Sequence, residues 1–211
     1  MNDEIAALVG AVAREVRDGE RDGEPVRTVV AARIYDTNIE DLWDALTNAD
    51  RIPRWFAPIS GDLKLGGRYQ IQGNAGGTIT RCEPPRELAA TWEFGGGMSW
   101  LEISLRPEGA DRARLELRHI APVDPHWEKY GPGAVGVGWD LGLFGLVRHL
   151  QNPDAARPPE GDPSWMATPE AKSFMTLSSA DWGRADIANG EAEATARNAA
   201  ELTRKFYCGE A

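Results

Sequence analysis

Cysteine is scarce in this chain, and long apolar runs are absent. The 211 residues contain two cysteines, Cys82 and Cys208, too few for the disulfide framework of a small secreted domain. No stretch approaches the ~20 consecutive apolar residues of a membrane-spanning helix. The charged opening MNDEIAALVGAVAREVRD is unlike a secretory signal. We therefore expect a cytoplasmic protein with two free thiols and no membrane association.

Positive charge is also in short supply. The 23 lysines and arginines are outnumbered by 33 aspartates and glutamates, which gives a formal net charge of −10. Nucleic acids and anionic membrane surfaces both require a basic footprint, so neither is expected as a partner. The three histidines, His119, His126 and His149, lack metal-ligand spacing, and we predict no metal site.

Recognisable catalytic and cofactor motifs are missing as well. The segment GPGAVG (131–136) has the letters of a dinucleotide fingerprint, but such a fingerprint follows a parallel strand inside a βαβ unit. Here it follows the pattern of an antiparallel hairpin and contains Pro132. No Ser-His-Asp order or paired-carboxylate spacing stands out. We predict no cofactor and assign no catalytic residue.

The composition itself, 42% hydrophobic and 27% charged, is that of a globular protein. Apolar residues at helical spacing predict an amphipathic helix over residues 2–18, within an N-terminal segment 1–24. β-Branched residues then predict a strand over 26–35. Two short helices are predicted next, one capped by Thr37 or Asn38 and one starting near Asp50.

From residue 61 to residue 123, apolar and polar side chains alternate in short runs. This pattern predicts an antiparallel sheet with one covered face and one solvent-exposed face. Three rows share a face within their strands: Leu88, Ala90, Trp92 and Phe94; then Leu101, Ile103 and Leu105, which are predicted to face inward; and Leu115, Leu117 and His119, also predicted to face inward. Turns are predicted at Glu83–Arg86 and at PEGAD (107–111). Together with strand 26–35, the predicted sheet has about six to seven strands.

Residues 134–150 predict one long helix that is apolar on nearly every side. Such a helix is buried on more than one side, and a sheet covers only part of it. We predict that the tail covers the rest, as a proline-rich linker (152–167) followed by a helical extension (168–211) that packs on the domain 25–151. The extension is predicted to contain three helical segments, TPEAKSFMTL (168–177), SADWGRADIANG (179–190) and EAEATARNAAELTRKFYCG (191–209), with Thr168-Pro169 as a start signal and Gly190 as a stop. A second subunit is the alternative cover, which leaves a homodimer open.

The glycine row in this helix, Gly138, Gly142 and Gly145, requires a reason, because each glycine costs about 1 kcal/mol relative to alanine. One reason is the close approach of another backbone, which general packing favours; the other is room for a ligand between helix and sheet. His119 and Asp140 also have one structural and one functional interpretation. Each is either structurally satisfied, Asp140 by a neighbouring arginine, or faces a pocket.

Four passages carry a resemblance to a known family: IEDLWDALTNADRIPRWFAP, GDLKLGGRYQI, CEPPRELAATWEF and the late strand–glycine–helix passage. In this order they resemble the SRPBCC, or START-like, superfamily, and within it the group named after the activator of heat-shock protein 90 ATPase. The likeness covers about residues 26–150. It implies an α+β helix-grip fold, with a curved antiparallel sheet wrapped on a long C-terminal helix and two short helices after strand one. The helical tail is an addition to that fold.

The resemblance implies a pocket between the sheet and helix 134–150, because many superfamily members bind hydrophobic ligands. We expect a binding protein for a hydrophobic or aromatic small molecule, with His119 or Tyr69 orienting a polar group. The residues expected to line the pocket are Trp55, Phe56, Tyr69, Trp92, Phe94, Trp100, His119, Trp139 and Leu143. Trp100 joins this set although its alternation places it opposite Leu101.

Two other functions stay open on the same resemblance. One is a cyclase- or hydrolase-like enzyme that uses His119 or Asp140 in the same pocket. The other is a co-chaperone-like module that binds a protein partner.

Overall fold

The structure, a computed structural model, describes residues 2–155 and 164–210. Its strands are β1 (Ala13–Arg21), β2 (Glu24–Tyr35), β3 (Ile59–Gly61), β4 (Arg68–Ile71), β5 (Gly76–Glu83), β6 (Glu87–Phe94), β7 (Gly97–Pro107) and β8 (Ala113–Pro122). Its helices are α1 (Asn2–Gly10), α2 (Ile39–Thr47), α3 (Ile52–Trp55), α4 (Pro125–Tyr130), α5 (Gly133–Gln151), α6 (Pro169–Asn189) and α7 (Glu193–Tyr207), with a 3₁₀ turn at Trp165–Ala167. None of the described helices combines the length and apolar character that crossing a membrane requires.

The strands form one sheet in the order β1-β2-β8-β7-β6-β5-β4-β3, and every neighbouring pair is antiparallel. The long helix α5 shares one buried core with the inward side chains of β2, β7 and β8. The predicted α+β helix-grip fold is therefore confirmed, with both predicted turns in place. The sheet has eight strands rather than six to seven.

The additional strand corrects the prediction for the N-terminus. Helix α1 ends at Gly10, and residues 13–21 form edge strand β1 instead of continuing the helix to residue 18. Four residues of the predicted apolar stripe, Ile5, Val9, Val12 and Val16, are buried. Val16 is the one buried apolar residue of β1, so the strand shows no alternation of apolar and polar residues. Asp22-Gly23, with φ of 54° and 85°, makes the tight turn into β2, and this Asp-Gly pair was the overlooked hairpin signal. The two short helices consequently follow strand two rather than strand one.

The C-terminal segment forms two long helices where three segments were predicted. Thr168 caps α6, Pro169 lies at its first turn, and Gly190 ends it in the left-handed conformation, all as predicted. The predicted break near Ser178 is wrong, since α6 is continuous and buries Ser178 and Ser179. Part of the predicted linker, residues 156–163, lies outside the described residues, and the division 1–24, 25–151, 152–167 and 168–211 stays a prediction.

Two glycines of α5 allow a backbone segment and an aromatic ring to approach the helix closely from opposite sides. A β-carbon at Gly145 would overlap the backbone carbonyl oxygen of Trp55, and one at Gly136 would overlap the ring of Trp182. A β-carbon at Gly142 would lie 3.4 Å from the Phe56 ring, which is an ordinary contact. Backbone approach thus explains Gly145, and α6 supplies the second cover of α5 from within the same chain.

A buried ion pair joins strand β1 to helix α5, and helix α6 contributes further hydrogen bonds to it. Arg14 of β1 donates from Nε (3.0 Å) and Nη2 (2.9 Å) to Oδ2 of Asp140, and both side chains are almost fully buried. Ser178 (2.5 Å) and Trp182 (3.1 Å) of α6 donate to the same oxygen. Burial raises the pKa of Asp140, while Arg14 and the other two donors oppose that rise. The arginine expected as one explanation of Asp140 is therefore Arg14.

We predict opposite effects for two alanine substitutions in α5. Gly145→Ala should lower the free energy of unfolding by about 2 kcal/mol or more, because the new methyl group overlaps backbone that cannot rotate away. Gly142→Ala should be neutral or stabilising by up to about 1 kcal/mol, since it gains helix propensity without overlap. Urea denaturation of both variants measures the difference, and equal destabilisation would contradict the packing described for Trp55.

We also predict that Arg14→Met destabilises the protein strongly. Removing one partner of a buried ion pair costs about 3–5 kcal/mol, because the other charge stays buried without compensation. The double variant Arg14→Met/Asp140→Asn removes both charges and should recover much of that loss. A double-mutant cycle at pH 7 measures the coupling, and additive losses would show that the pair is not coupled.

Candidate functional site

An apolar inner cavity of about 110 Å³ lies between the sheet, helices α2 and α3, and helix α5. The sheet contributes an aliphatic surface made of Ile71, Ile79, Leu88, Ala90, Leu101, Ile103, Leu115 and Leu117. Aromatic side chains from the helices, the segment after α3, and strands β4 and β6 close it, namely Trp55, Phe56, Tyr69, Trp92 and Trp139. We call this space the inner cavity.

The hydroxyl and indole groups around the inner cavity are already engaged by the protein. The Tyr69 hydroxyl donates to the carbonyl of Thr91 (2.7 Å), and the Thr47 hydroxyl donates to that of Trp43 (2.8 Å). The Trp55 indole donates to the carbonyl of Ala45 (2.9 Å). Tyr69 thus offers its ring to the cavity and not its hydroxyl, contrary to the expectation that it orients a ligand. A guest would be held by apolar contact.

Three aromatic side chains form a layer on one side of the inner cavity. Phe56 stacks on Trp139 with ring centroids 6.1 Å apart, and Trp92 lies 5.0 Å from Trp139. The same three residues line a second space of about 510 Å³, the outer groove, which also involves α4 and α7. We call Phe56, Trp92 and Trp139 the aromatic layer, and it lies between the inner cavity and the outer groove.

His119 fixes the orientation of the aromatic layer from the groove side. The Trp139 indole donates to Nδ1 of His119 (3.0 Å), and Nε2 lies 2.9 Å from the hydroxyl of Ser99. Because an indole only donates, Nδ1 must accept, which places the imidazole proton on Nε2. Burial lowers the pKa of His119 to about 4, so the neutral ring that this geometry needs is the form present at pH 7.

The nine predicted pocket residues divide into three groups. Six line the inner cavity: Trp55, Phe56, Tyr69, Trp92, Trp139 and Leu143. Phe94 and His119 line the outer groove instead, and both ring nitrogens of His119 are engaged by protein atoms.

Trp100 was predicted wrongly. It alternates with the buried Leu101 and so lies on the opposite face of the sheet, where the guanidinium of Arg21 stacks 4.0 Å from its ring centroid. Its aromatic side chain suggested a pocket residue. Successive residues of a strand point to opposite faces of the sheet, so Trp100 lies on the face away from the pocket.

Most of the missed lining residues are aliphatic. Leu101, Ile103, Leu115 and Leu117 belong to rows whose inward direction was predicted, but aromatic residues were preferred as ligand contacts. Ala90 is the residue that could have indicated a cavity from the sequence. It lies between Leu88 and Trp92 in the same row, and its small side chain leaves space on the inward face of β6.

Asp140 is separate from this site. Its hydrogen bonds go to β1 and α6, and it lines neither the inner cavity nor the outer groove. Among residues 2–155 and 164–210, no cluster of three or more histidine, cysteine, aspartate or glutamate side chains is suited to a metal ion.

A family model, described as Activator of Hsp90 ATPase homolog 1-like protein, matches residues 36–151 of the chain. A comparison with curated proteins finds no match.

Several solved structures are similar to the whole chain or to its core. CalU16 from Micromonospora echinospora is 31% identical, with a TM-score of 0.68, and the match covers 86% of this chain and 99% of that one. An HSP90 activator from Plasmodium falciparum is 20% identical over 59% of this chain and 96% of its own, with a TM-score of 0.52. The Aha1 dimer from Colwellia psychrerythraea is 13% identical over 61% of this chain and 98% of its own, also with a TM-score of 0.52. The last two similarities are evidence of a shared fold.

We predict a loss of stability in acid that is due to His119. An unfolded histidine titrates near ~6.5, whereas burial lowers the folded pKa to about 4. The unfolded state therefore binds the proton first, so the contribution of His119 is complete above pH 6.5. It falls by about 3 kcal/mol as the pH drops to 4.

Urea unfolding between pH 4 and pH 7 measures this dependence. His119→Gln can keep an acceptor and a donor without titrating, so its curve should be flatter than that of the wild type. His126→Gln, at an exposed position of α4, is the matched control. Identical pH slopes for the wild type and His119→Gln would contradict the prediction.

Proposed function

The chain belongs to the family of Activator of Hsp90 ATPase homolog 1-like proteins. We propose that it binds a small hydrophobic molecule, preferably an aromatic one, in the inner cavity. The single observation that carries this proposal is an interior space bounded mainly by apolar side chains, around which the hydroxyl and indole groups already bond to the protein. The space, about 110 Å³, is somewhat smaller than the ~150 Å³ apolar cavity known to hold benzene. A guest of about one ring fits it without rearrangement.

A larger guest would have to displace the aromatic layer. Trp139 is held by one hydrogen bond to His119 and by stacking on Phe56, and the groove lies directly beyond it. Rotation of this one indole would join the inner cavity to the outer groove. We therefore assign entrance of the ligand to the groove side, with His119 as a positioning residue for the layer.

Binding fits this site better than catalysis. The polar side chains that line the inner cavity, Thr47, Tyr69 and Cys82, include no ordinary acid or base, and burial raises the pKa of Tyr69. His119 lies beyond the aromatic layer, with both ring nitrogens engaged. A cyclase- or hydrolase-like reaction would need an acid or base that reaches the guest, and among the described residues no aspartate, glutamate, histidine or lysine lines the inner cavity.

A second candidate is a protein contact of the co-chaperone kind. Phe94, Met98 and Phe206 are large, exposed and gathered around the outer groove, as apolar residues at protein contacts often are. Such a contact would not use the inner cavity, so a variant that fills the cavity would leave it unchanged.

We predict that Ala90→Leu abolishes binding of small apolar probes. The substitution places three further carbon atoms in the inner cavity, whereas Ala89→Leu adds the same atoms on the opposite face of β6 and serves as the matched control. Benzene and toluene, titrated by calorimetry, should bind the wild type and Ala89→Leu alike. Affinity for Ala90→Leu should fall at least about tenfold, because a filled cavity excludes the guest.

Native mass spectrometry of freshly purified protein, with a mass scan of its organic extract, would identify a retained guest. The proposal fails if neither probe binds the wild type, or if both bind Ala90→Leu unchanged. In that event the exposed groove residues, and hence a protein contact, become the better account.

A further inference from the structure

A third cavity, of about 420 Å³, lies where the β1–β2 hairpin meets α4 and the junction of α6 with α7. It shares no lining residue with the inner cavity. Four carboxylates line it, from Asp18, Glu128, Asp186 and Glu191, together with a single cationic side chain, Arg27. We call it the acidic cavity.

Asp186 is the unusual member of the acidic cavity. Its residue is 8% exposed, and within the described chain its carboxylate takes part in no hydrogen bond or ion pair. Buried carboxylates in proteins are nearly always paired. Gly131 lies beside it, and a β-carbon there would be 3.4 Å from Oδ2, so the missing side chain leaves that oxygen open on one side.

The surroundings of Asp186 add negative potential, and Arg27, the single cationic side chain of the acidic cavity, forms no ion pair with it. Arg27 bonds instead to Asp18 (3.2 Å), which also accepts from the side chain of Asn189 (2.7 Å). The C-terminal end of α6 borders the cavity and has no basic residue in its last turn. Helix C-termini carry partial negative charge and favour cations. Burial, followed by the charges of Glu191 and Asp18, raises the pKa of Asp186 to about 6, while the nearby charge of Arg27 opposes that rise.

We propose that the acidic cavity is a binding site for a small organic cation, whose ammonium group pairs with the carboxylate of Asp186. The buried ring of Trp127 lines the same space and provides a face for the carbon atoms of the ligand or for its charge. The described residues offer no cluster suited to a metal ion, which favours an organic ammonium over a metal. This site goes beyond the hydrophobic binding proposed above and does not depend on it.

The test uses n-butylammonium chloride as the probe, titrated into the full chain at pH 7.5 and constant ionic strength. Calorimetry should detect saturable binding of the ammonium, whereas the neutral analogue n-butanol should not bind the site. Asp186→Asn should weaken binding at least tenfold. Glu193→Gln, which removes an exposed carboxylate of α7 that pairs with Arg197, is the matched control and should bind like the wild type.

Two further measurements sharpen the test. At pH 5 a proton competes for the carboxylate, so affinity in the wild type should fall about tenfold relative to pH 7.5. Butylammonium should not displace toluene, which keeps this test separate from that of the inner cavity. If the amide at position 186 disturbs packing, Asp186→Ser repeats the test with a smaller side chain.

The proposal is overturned if butylammonium does not bind the wild type. It is equally overturned if Asp186→Asn binds as well as the wild type, or if Glu193→Gln loses as much affinity as Asp186→Asn. The last result would assign the effect to net charge rather than to the acidic cavity.

Discussion

The burial of helix α5 on two sides is the constraint on which the rest of the structure depends. A helix that is apolar all round cannot be covered by a sheet alone, because a sheet contacts only one side. Helix α6 covers the other side, with Trp182 seated over Gly136. That contact also buries Asp140, so Arg14 of β1 must supply the counter-charge. Segments outside the family match at 36–151 thus complete the core of the matched region.

The contact with α6 affects how tightly α5 must pack against the sheet. Because α6 packs closely on one side of α5, the side that faces the sheet can be less tightly filled. Small residues, Gly142 on α5 and Ala90 on β6, line the inner cavity there. At ~24 cal/mol per Å³, a void of this kind costs on the order of 3 kcal/mol. A fold shaped only for stability would fill it with a larger side chain. The void therefore favours a guest over a core that is merely imperfect.

The sequence predicted the fold well where one physical pattern dominated. Alternation set the inward rows of β6, β7 and β8, and the same alternation, applied strictly, would have removed Trp100 from the pocket. Alternation did not reveal β1, because this edge strand has one buried apolar residue, Val16. That residue continues the helical spacing of the apolar residues of α1, so the sequence pattern shows no break between helix and strand. The outer groove, the pairing of Arg14 with Asp140 and the isolation of Asp186 depend on contacts between distant segments. Local patterns in a single sequence do not determine such contacts.

Two buried carboxylates on adjacent helices show how differently one fold treats the same group. Asp140 receives a guanidinium and two further donors on a single oxygen, and Arg14 is itself held by the backbone carbonyls of Val9 and Val12. The carboxylate of Asp186 accepts no such hydrogen bond from the described residues. Arg27 is nearby, but it forms its ion pair with Asp18. Within the described residues the carboxylate of Asp186 has no hydrogen bond or ion pair, and Arg27 acts on it only through its charge. Since burial of a carboxylate costs stability, the aspartate at position 186 lacks the direct bonds that offset this cost at Asp140. A neutral residue there would be less costly, so the carboxylate is better explained by a partner that arrives from solution.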